Sequence, residues 1–340
     1  LQSQWGGRYE GTTRTWTDGT LEYAMPDVAP NNNARNEQTG FVAMTAVQKA
    51  FAREAFELWD DLIQTDLTET TSPDAQITFA YSTATRSDGT YASPFLKRPN
   101  DSLFDYDIDH QRIWFSQSGN WPENQSSNMG YGKRGMENYV HEVRHSLGLS
   151  HPGSYNATDV PARAYAANAE YSQDTQQWTI MSYFGPGADG TVIDRLGTGG
   201  VNSYAATPLL HDIAAIQAKY GTDVKTRTGD DVYGFHAQFN GAYRGAFDFN
   251  NYANENPVVA IWDAGGIDRL DTSGYRQNQR IDLHAGAFSN IGALTKNVAI
   301  AYGVNIENAS GGSGNDTIQG NDGANSLDGL AGNDFLSGHG

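Results

Sequence analysis

Apolar residues along the first part of the chain recur with two periods, and each period predicts one kind of element. Between Met44 and Ile63 they follow helical spacing, which indicates one face of an amphipathic helix packed on a core: Val47, Phe51, Ala55, Leu58 and Leu62. Two shorter helices are predicted from Met136 to Gly148 and from Leu209 to Tyr220. Alternation over residues 77–81, and the apolar run 113–115, predict half-buried strands.

The pattern changes after Gly221. No further helical period follows, and glycine, asparagine and aspartate separate short β-prone runs such as residues 258–262. The end of the chain repeats every nine residues, with a glycine opening each turn at positions 311, 320, 329 and 338. We therefore predict an α+β domain over residues 1–220 and an all-β domain over residues 221–340.

Composition narrows the possible partners. Forty acidic residues against twenty-two basic ones give a net charge of −18, a field that repels nucleic acid. No apolar run is long enough to span a bilayer, so membrane insertion is not expected. The sequence contains no cysteine, which excludes disulfides, thiolate metal sites and thiol catalysis. A disulfide-free exported protein needs another source of stability, and bound metal can supply it.

The strongest chemical signal is the run from His141 to His151, which has the pattern H-E-x-x-H-x-x-G-x-x-H. Four residues of helix advance about 400°, so His141 and His145 project from the same face. Gly148 permits a left-handed turn that brings His151 back as a third ligand. Three imidazoles leave an open position, as in catalytic rather than structural zinc sites, and Glu142 lies where it can hold a zinc-bound water. The alternative, three surface histidines on a polar helix, does not explain this spacing.

A second motif follows about thirty residues later, in the sequence Thr179-Ile180-Met181-Ser182-Tyr183. By itself a methionine is more often core filler, and a tyrosine a packed aromatic. After the extended zinc motif, however, Met181 is expected in a tight turn beneath the metal, where its thioether forms an apolar floor.

These stretches resemble the serralysin family of bacterial secreted metalloproteases. The resemblance is carried by HEVRHSLGLSHPGSYN (141–156), DTQQWTIMSYF (174–184), PLLHDIAAIQAKYG (208–221), RTGDDVYGF (227–235), residues 259–275 and VNIENASGGSGND (304–316). It runs from about residue 138 to the end and is thin over the first hundred residues.

The resemblance implies a metzincin-like catalytic domain followed by a parallel β-roll that carries several structural calcium ions. It implies His141, His145 and His151 as ligands of one zinc ion and Glu142 as the catalytic base. It also implies Tyr183 as a displaceable zinc ligand that swings to stabilise the tetrahedral intermediate. Since the family continues into more repeats and a C-terminal export signal, we expect a truncated or processed product whose export signal lies beyond this chain.

Two positions depart from the family pattern. Arg144 stands where glycine is usual, about 80° round the helix from the metal face, where it either lines the cleft or pairs with an acid elsewhere. The sequence alone predicts that Arg144→Gly preserves activity. Ser154 replaces the usual aspartate, which removes one acidic contact.

Calcium ligands are predicted in two places. In the nine-residue repeats, the turn residues Gly312, Gly314, Asp316 and Asp334 bind calcium, while Ile318, Leu327 and Leu336 are buried. The alternative is a glycine-rich flexible linker, but apolar residues recurring nine apart argue against it. The family resemblance adds a site where the second domain begins, made by backbone oxygens of Arg227 and Gly229 with Asp263 and Asp268, and it assigns Glu307 to a neighbouring ion.

The sequence therefore predicts a secreted, monomeric zinc endopeptidase acting on extended protein or peptide substrates. Substrate is expected to add to an edge strand upstream of the zinc helix, over residues 92–97, with Ala92, Ser93 and Phe95 as binding residues. The first alternative is a non-catalytic, calcium-stabilised adhesin or binding module with a relict metal site. The second is a zinc hydrolase for non-peptide substrates.

Overall fold

A computed structural model describes residues 14–30, 36–84, 90–97, 106–117, 120–153, 155, 164–195, 202–242, 244–252 and 256–338. Ser154 lies outside the described residues. Among the described helices, none combines the length and the apolar content needed to cross a bilayer.

The first part of the chain forms a mixed sheet. Its described strands are β1 (Arg14–Thr15), β2 (Thr20–Ala24), β3 (Phe41–Val42), β4 (Asp66–Glu69), β5 (Ile77–Ser82), β6 (Thr90–Lys97) and β7 (Tyr106–Ser116). The order is β1-β7-β5-β2-β4 with parallel pairing, while β3 joins β5 and β6 joins β7, both antiparallel.

Strand β5 and residues 113–115 of β7 are buried on both faces, so the prediction of half-buried strands was wrong for both. At the end of β5 the segment before β3 covers the second face, where the Ser82 hydroxyl donates a 2.7 Å hydrogen bond to the Glu37 carbonyl. Alternation in the sequence is a weak guide when both faces of a strand have a cover.

The described helices are α1 (Ala46–Asp60), α2 (Arg134–Ser146), α3 (Tyr165–Asn168) and α4 (Leu210–Tyr220). The three longer ones confirm the predicted helices, with bounds shifted by at most three residues. Thr45 begins α1 through a reciprocal capping box with Gln48. Helix α1 packs on α2, where the Trp59 indole donates to the Val140 carbonyl at 3.0 Å.

Helix α2 is buried over most of its surface and ends in a turn held by hydrogen bonds. Val140, Val143 and Leu147 are fully buried, which confirms the predicted packing face. Gly148 has a φ of 80°, as the left-handed exit requires. The carbonyls of Ser146 and Leu147, which lack helical partners, accept hydrogen bonds of 2.8 Å each from the Trp16 indole and the Tyr220 hydroxyl.

The second part of the chain is built from short strands. They are β8 (Val232–Gly234), β9 (Val259–Ile261), β10 (Arg269–Asp271), β11 (Arg280–Asp282), β12 (Phe288–Ser289), β13 (Val298–Ile300), β14 (Asn308–Ser310), β15 (Thr317–Gln319), β16 (Ser326–Asp328) and β17 (Phe335–Ser337). Parallel pairing gives one ladder in the order β8-β10-β14-β16 and a second in the order β11-β15-β17. A third sheet joins β12, β13 and β9.

Successive nine-residue repeats join the two ladders alternately. Residue 308 pairs with 326 and residue 317 with 335, so each partner lies two repeats away. Burial declines along the repeats: Ile318 is buried and Leu327 half-buried, while Leu336 is 43% exposed. The predicted burial of Leu336 was wrong because β17 is the outermost strand of its ladder among the described residues.

A buried ion-pair cluster joins the two parts of the chain. Asp61, at the C-terminal end of α1, accepts a hydrogen bond of 2.6 Å from Arg227 and bonds of 2.9 and 3.1 Å from Arg244. All three side chains are at most 7% exposed. Two guanidinium groups thus share one carboxylate in a site with little water.

Removing this carboxylate charge should destabilise the protein strongly. We expect Asp61→Asn to lower the free energy of unfolding by about 3–5 kcal/mol, because the buried Arg227 loses its counter-charge and Arg244 keeps only its pair with the more exposed Glu57. The control is Asp27→Asn at a surface pair, where Asp27 is 78% exposed and contacts Lys49; there the loss should stay below about 1 kcal/mol. Urea unfolding measures both, and equal small losses would contradict the expectation.

Candidate metal centre

Three imidazoles converge at the end of helix α2. The Nε2 atoms of His145 and His151 lie 3.2 Å apart, and those of His151 and His141 lie 3.4 Å apart. His141 and His145 stand one helical turn apart on α2, and the turn at Gly148 returns His151 to them. The spacing argument from the sequence and the structure thus bring the same three side chains together.

Backbone carbonyls set the tautomers of two of these rings. The Nδ1 of His141 donates to the Ile180 carbonyl at 3.0 Å, and the Nδ1 of His145 donates to the Leu149 carbonyl at 2.8 Å. A carbonyl can only accept, so in the neutral ring the proton sits on Nδ1 and the Nε2 lone pair points to the centre. Burial, with the neighbouring His145 next in effect, lowers the pKa of His141 and of His151 well below the usual histidine value.

The donor set fits zinc. In a tetrahedral site with nitrogen ligands at about 2.0–2.1 Å, donors are about 3.3–3.4 Å apart, close to the two separations found here. The described residues contain one such histidine cluster, with all ligand atoms within 4.8 Å of one another. Neutral imidazoles with hydrogen-bonded outer nitrogens are the usual form of zinc-binding histidine.

Of the other predicted residues of the centre, Glu142 and Tyr183 lie beside this triad, and Met181 lies in a turn that contacts it. Glu142 is on α2 between the first two histidines and is 7% exposed. The Tyr183 ring lies 4.4 Å from the His151 ring, centre to centre. Met181 is fully buried, in the turn whose preceding residue, Ile180, holds His141.

Arg144 does not line the cleft. Its side chain is fully buried, and its Nη1 lies 3.3 Å from an oxygen of Asp212, which is also fully buried. Of the two alternatives left by the sequence, the structure therefore selects the pair with an acid. Sequence analysis missed Asp212; its only signal was an acidic residue on the otherwise apolar face of the helix that follows the methionine motif.

The predicted substrate-binding residues Ala92, Ser93 and Phe95 lie in β6, which pairs antiparallel with β7. Among the described strands β6 pairs only with β7, so no described strand covers its outer side. Pro94 lies within it, as is typical of edge strands. Helix α2 contacts both strands of this pair.

A carboxylate cluster lies where the second part of the chain begins. Oxygens of Asp231, Asp263 and Asp268 lie within 4.8 Å of one another, and all three residues are buried. Asp263 accepts from the Tyr233 hydroxyl at 2.6 Å, and Asp268 accepts from the Asp231 amide at 2.8 Å. Sequence analysis named two of these residues and missed Asp231, although it stands beside Asp230 in the quoted motif RTGDDVYGF.

The predicted backbone ligands are near this cluster. The Arg227 carbonyl accepts from the Ala264 amide at 3.1 Å. Gly266, at a φ of 154°, allows the Gly229 carbonyl to approach, since a Cβ there would lie 2.0 Å from that oxygen. Glu307 lies directly before β14, and its carboxylate accepts a hydrogen bond from the Asp268 amide at 2.8 Å.

The repeat turns stack as their spacing requires. Asp316 accepts from the amides of Gln279 and Gly312, at 2.7 and 2.6 Å, and Asp334 accepts from the amide of Asp316 at 2.8 Å. Gly314 belongs to the same stack, where a Cβ on Gly332 would lie 1.9 Å from its carbonyl oxygen. The structure therefore stacks the turn of Asp334 on the turn of Asp316, which lies eighteen residues earlier in the chain.

Comparison with known families defines the class. The Matrixin family model matches residues 32–180, and the model for the serralysin C-terminal part of peptidase M10 matches residues 222–336. The chain therefore combines a matrixin catalytic domain, which contains the histidine triad, with a serralysin C-terminal domain.

Individual relatives narrow this class further. The chain is 38% identical to Serralysin of Photorhabdus sp. (strain Az29) over 93% of its own length and 60% of the relative's. It is 36% identical to Serralysin of Proteus mirabilis, over 96% and 63% of the two chains, and 39% identical to Metallopeptidase AprA of Pseudomonas marginalis, over 84% and 57%. The chain is similar to serralysins over most of its own length, and it spans about three-fifths of the length of these relatives.

The buried carboxylates predict a pH dependence in calcium-free protein. Burial, with the charges of Asp263 and Glu307, raises the pKa of Asp268 to about 7. The folded state then holds this proton more tightly than the unfolded chain, whose aspartate pKa is about 3.9. This contribution to stability is complete below about pH 4 and is lost as pH rises through about 7.

Comparison with Asp268→Asn isolates this carboxylate. Without calcium at about pH 8, we expect the variant to be at least as stable as the wild type, because it avoids burying the charge. If the cluster binds calcium, as the sequence predicts, the order should reverse when calcium is added, because the variant would lack a ligand charge. Urea unfolding under both conditions measures this, and an unchanged order of stability would contradict it.

Proposed function

We propose that this chain is a zinc-dependent endopeptidase that cleaves proteins or peptides bound in an extended conformation. The convergence of three Nε2 atoms, with two outer nitrogens committed to carbonyls, is the observation that carries the proposal. Residues His141, His145 and His151 would hold the metal. Zinc analysis together with casein digestion, before and after chelation, tests the proposal directly.

Each remaining residue of the centre has a defined role in the proposed reaction. Zinc, when bound, supplies a Lewis acid that polarises the scissile carbonyl and acidifies water. Glu142 accepts the proton of the attacking water and returns it to the leaving amine. Tyr183 would be a displaceable ligand of the metal, and its hydroxyl would donate to the developing oxyanion. Met181 supports the triad from the turn below.

Substrate would bind by extending the sheet at β6. An antiparallel edge strand offers backbone donors and acceptors, so an extended peptide can pair with residues 92–97. Ala92, Ser93 and Phe95 are the proposed contact positions. Binding through the backbone implies broad sequence preference, since the main chain carries no side-chain information.

For the second domain we propose a parallel β-roll that binds structural calcium, with the domain boundary near residue 221. Oxygen donors in irregular loops and repeat turns suit calcium rather than zinc. The proposed ligands where the domain begins are the Arg227 and Gly229 carbonyls with Asp231, Asp263 and Asp268. Glu307 serves a neighbouring ion, and Gly312, Gly314, Asp316 and Asp334 serve the repeat turns. We further propose that the protein is exported and acts as a monomer.

The competing function is a non-catalytic, calcium-stabilised binding module. It predicts that zinc binds without turnover. Glu142 and Tyr183 have no evident purpose in such a module, whereas both lie beside the triad here. Casein digestion separates the two functions.

Glu142→Gln should leave zinc bound and lower kcat/KM by about 10²- to 10⁴-fold, because the ligands remain while the proton carrier is lost. The control is Glu22→Gln, at an exposed position of β2, which should leave turnover unchanged. Metal content and peptide hydrolysis are measured on the same samples. Wild-type turnover in the Glu142 variant would show that the assigned base is wrong.

Tyr183→Phe should lower kcat by about one to three orders of magnitude with little change in KM, as expected when a contact exists mainly in the transition state. Tyr302→Phe is the matched control, since Tyr302 is 46% exposed in the second part of the chain. Steady-state kinetics on one peptide decides. An unchanged kcat would make Tyr183 a purely structural residue.

A further inference from the structure

A second group of buried polar side chains lies directly behind the histidine triad. Arg144 immediately precedes the ligand His145 in α2, and Asp212 lies in the first turn of α4. Their side chains are both fully buried and approach to 3.3 Å. A guanidinium keeps its proton under all ordinary conditions, so Arg144 brings a positive charge into the protein interior beside Asp212.

Asp212 also organises the turn that contains Met181. One carboxylate oxygen accepts from the Thr179 hydroxyl at 2.6 Å, and the other accepts from the Ile180 amide at 2.9 Å and the Leu209 amide at 2.9 Å. The carboxylate therefore joins the start of α4 to the methionine turn. Arg144 pairs with the same carboxylate and so connects helix α2 to the methionine turn and to α4.

The contacts form a closed path that begins and ends on α2. Arg144 contacts Asp212, Asp212 holds the Ile180 amide, and the Ile180 carbonyl accepts from His141. The direction of the His141 lone pair depends on where that carbonyl lies. Groups that orient a ligand's outer nitrogen affect metal affinity as well as geometry.

Arg144 and Asp212 each balance the charge of the other. Without Asp212, a buried guanidinium would stand next to a site meant for a divalent cation and would repel it. Without Arg144, the carboxylate would be buried without its counter-charge. The pair together adds no net charge to the site.

We propose that Arg144 and Asp212 are positioning residues, a charge-balanced brace that fixes the methionine turn and thereby the orientation of His141. The inference rests on the proposed zinc site and deepens it. It also changes the expectation for Arg144→Gly: because Arg144 is buried against Asp212 rather than exposed in a cleft, its loss should weaken the site.

The test compares Arg144→Met, Asp212→Asn and the double variant in the full chain. Zinc affinity is measured by competition with a chelator, and the visible spectrum of the cobalt(II)-loaded protein reports the ligand geometry. Each single variant should bind zinc about 10–100-fold more weakly than the wild type. The double variant should bind more tightly than Asp212→Asn, because it also lacks the uncompensated guanidinium.

Controls separate positioning from simple destabilisation. Arg244→Met breaks a similarly buried ion pair at Asp61 and should lower stability without changing zinc affinity or the cobalt spectrum. Arg144→Lys keeps the charge and should regain most of the lost affinity. If Arg144→Met does not fold, the comparison of Asp212→Asn with the double variant still decides.

Several results would overturn the inference. Zinc affinity within about twofold of wild type in both single variants, or a double variant weaker than Asp212→Asn, would refute the brace. A lysine variant as defective as the methionine variant would refute charge compensation. A wild-type protein that binds no zinc would instead refute the proposed function itself, so the two failures are distinguishable.

Discussion

The hydrogen bonds from two histidine Nδ1 atoms to backbone carbonyls are the constraint on which the candidate metal centre depends. These bonds place the ring proton of His141 and of His145 on Nδ1, and the Nε2 lone pairs of both rings then point to a shared centre. The accepting carbonyls belong to two turns rather than to α2 itself. Gly148 shapes one of these turns, and Asp212 holds the other. Residues that do not themselves coordinate metal therefore determine whether a metal ion can bind.

The two parts of the chain are joined through residues with two functions. The carbonyl of Arg227 is next to the carboxylate cluster, while its guanidinium bonds Asp61 at the end of α1. Helix α1 in turn packs on α2 through Trp59. A short path of buried groups therefore connects the carboxylate cluster with helix α2.

Features that depend on the spacing of residues within a short stretch of chain could be predicted from the sequence. The histidine triad, the three longer helices and the nine-residue period follow from periodicity within a few turns of chain. Asp212, Asp231 and the pairing of Asp61 were not predictable in this way, because their partners lie far away in sequence. The burial of β5 on both faces and the exposure of Leu336 likewise depend on what other segments cover.

The eighteen-residue pairing distance has a consequence for how such a domain can change in length. Because neighbouring repeats belong to different ladders, the parity of the repeat number decides which ladder every later turn joins. Loss or gain of one nine-residue unit would move every later repeat to the other ladder. Turns that do not match would then stack on each other. Loss or gain of two units preserves the phase, so length should vary most easily in steps of eighteen residues.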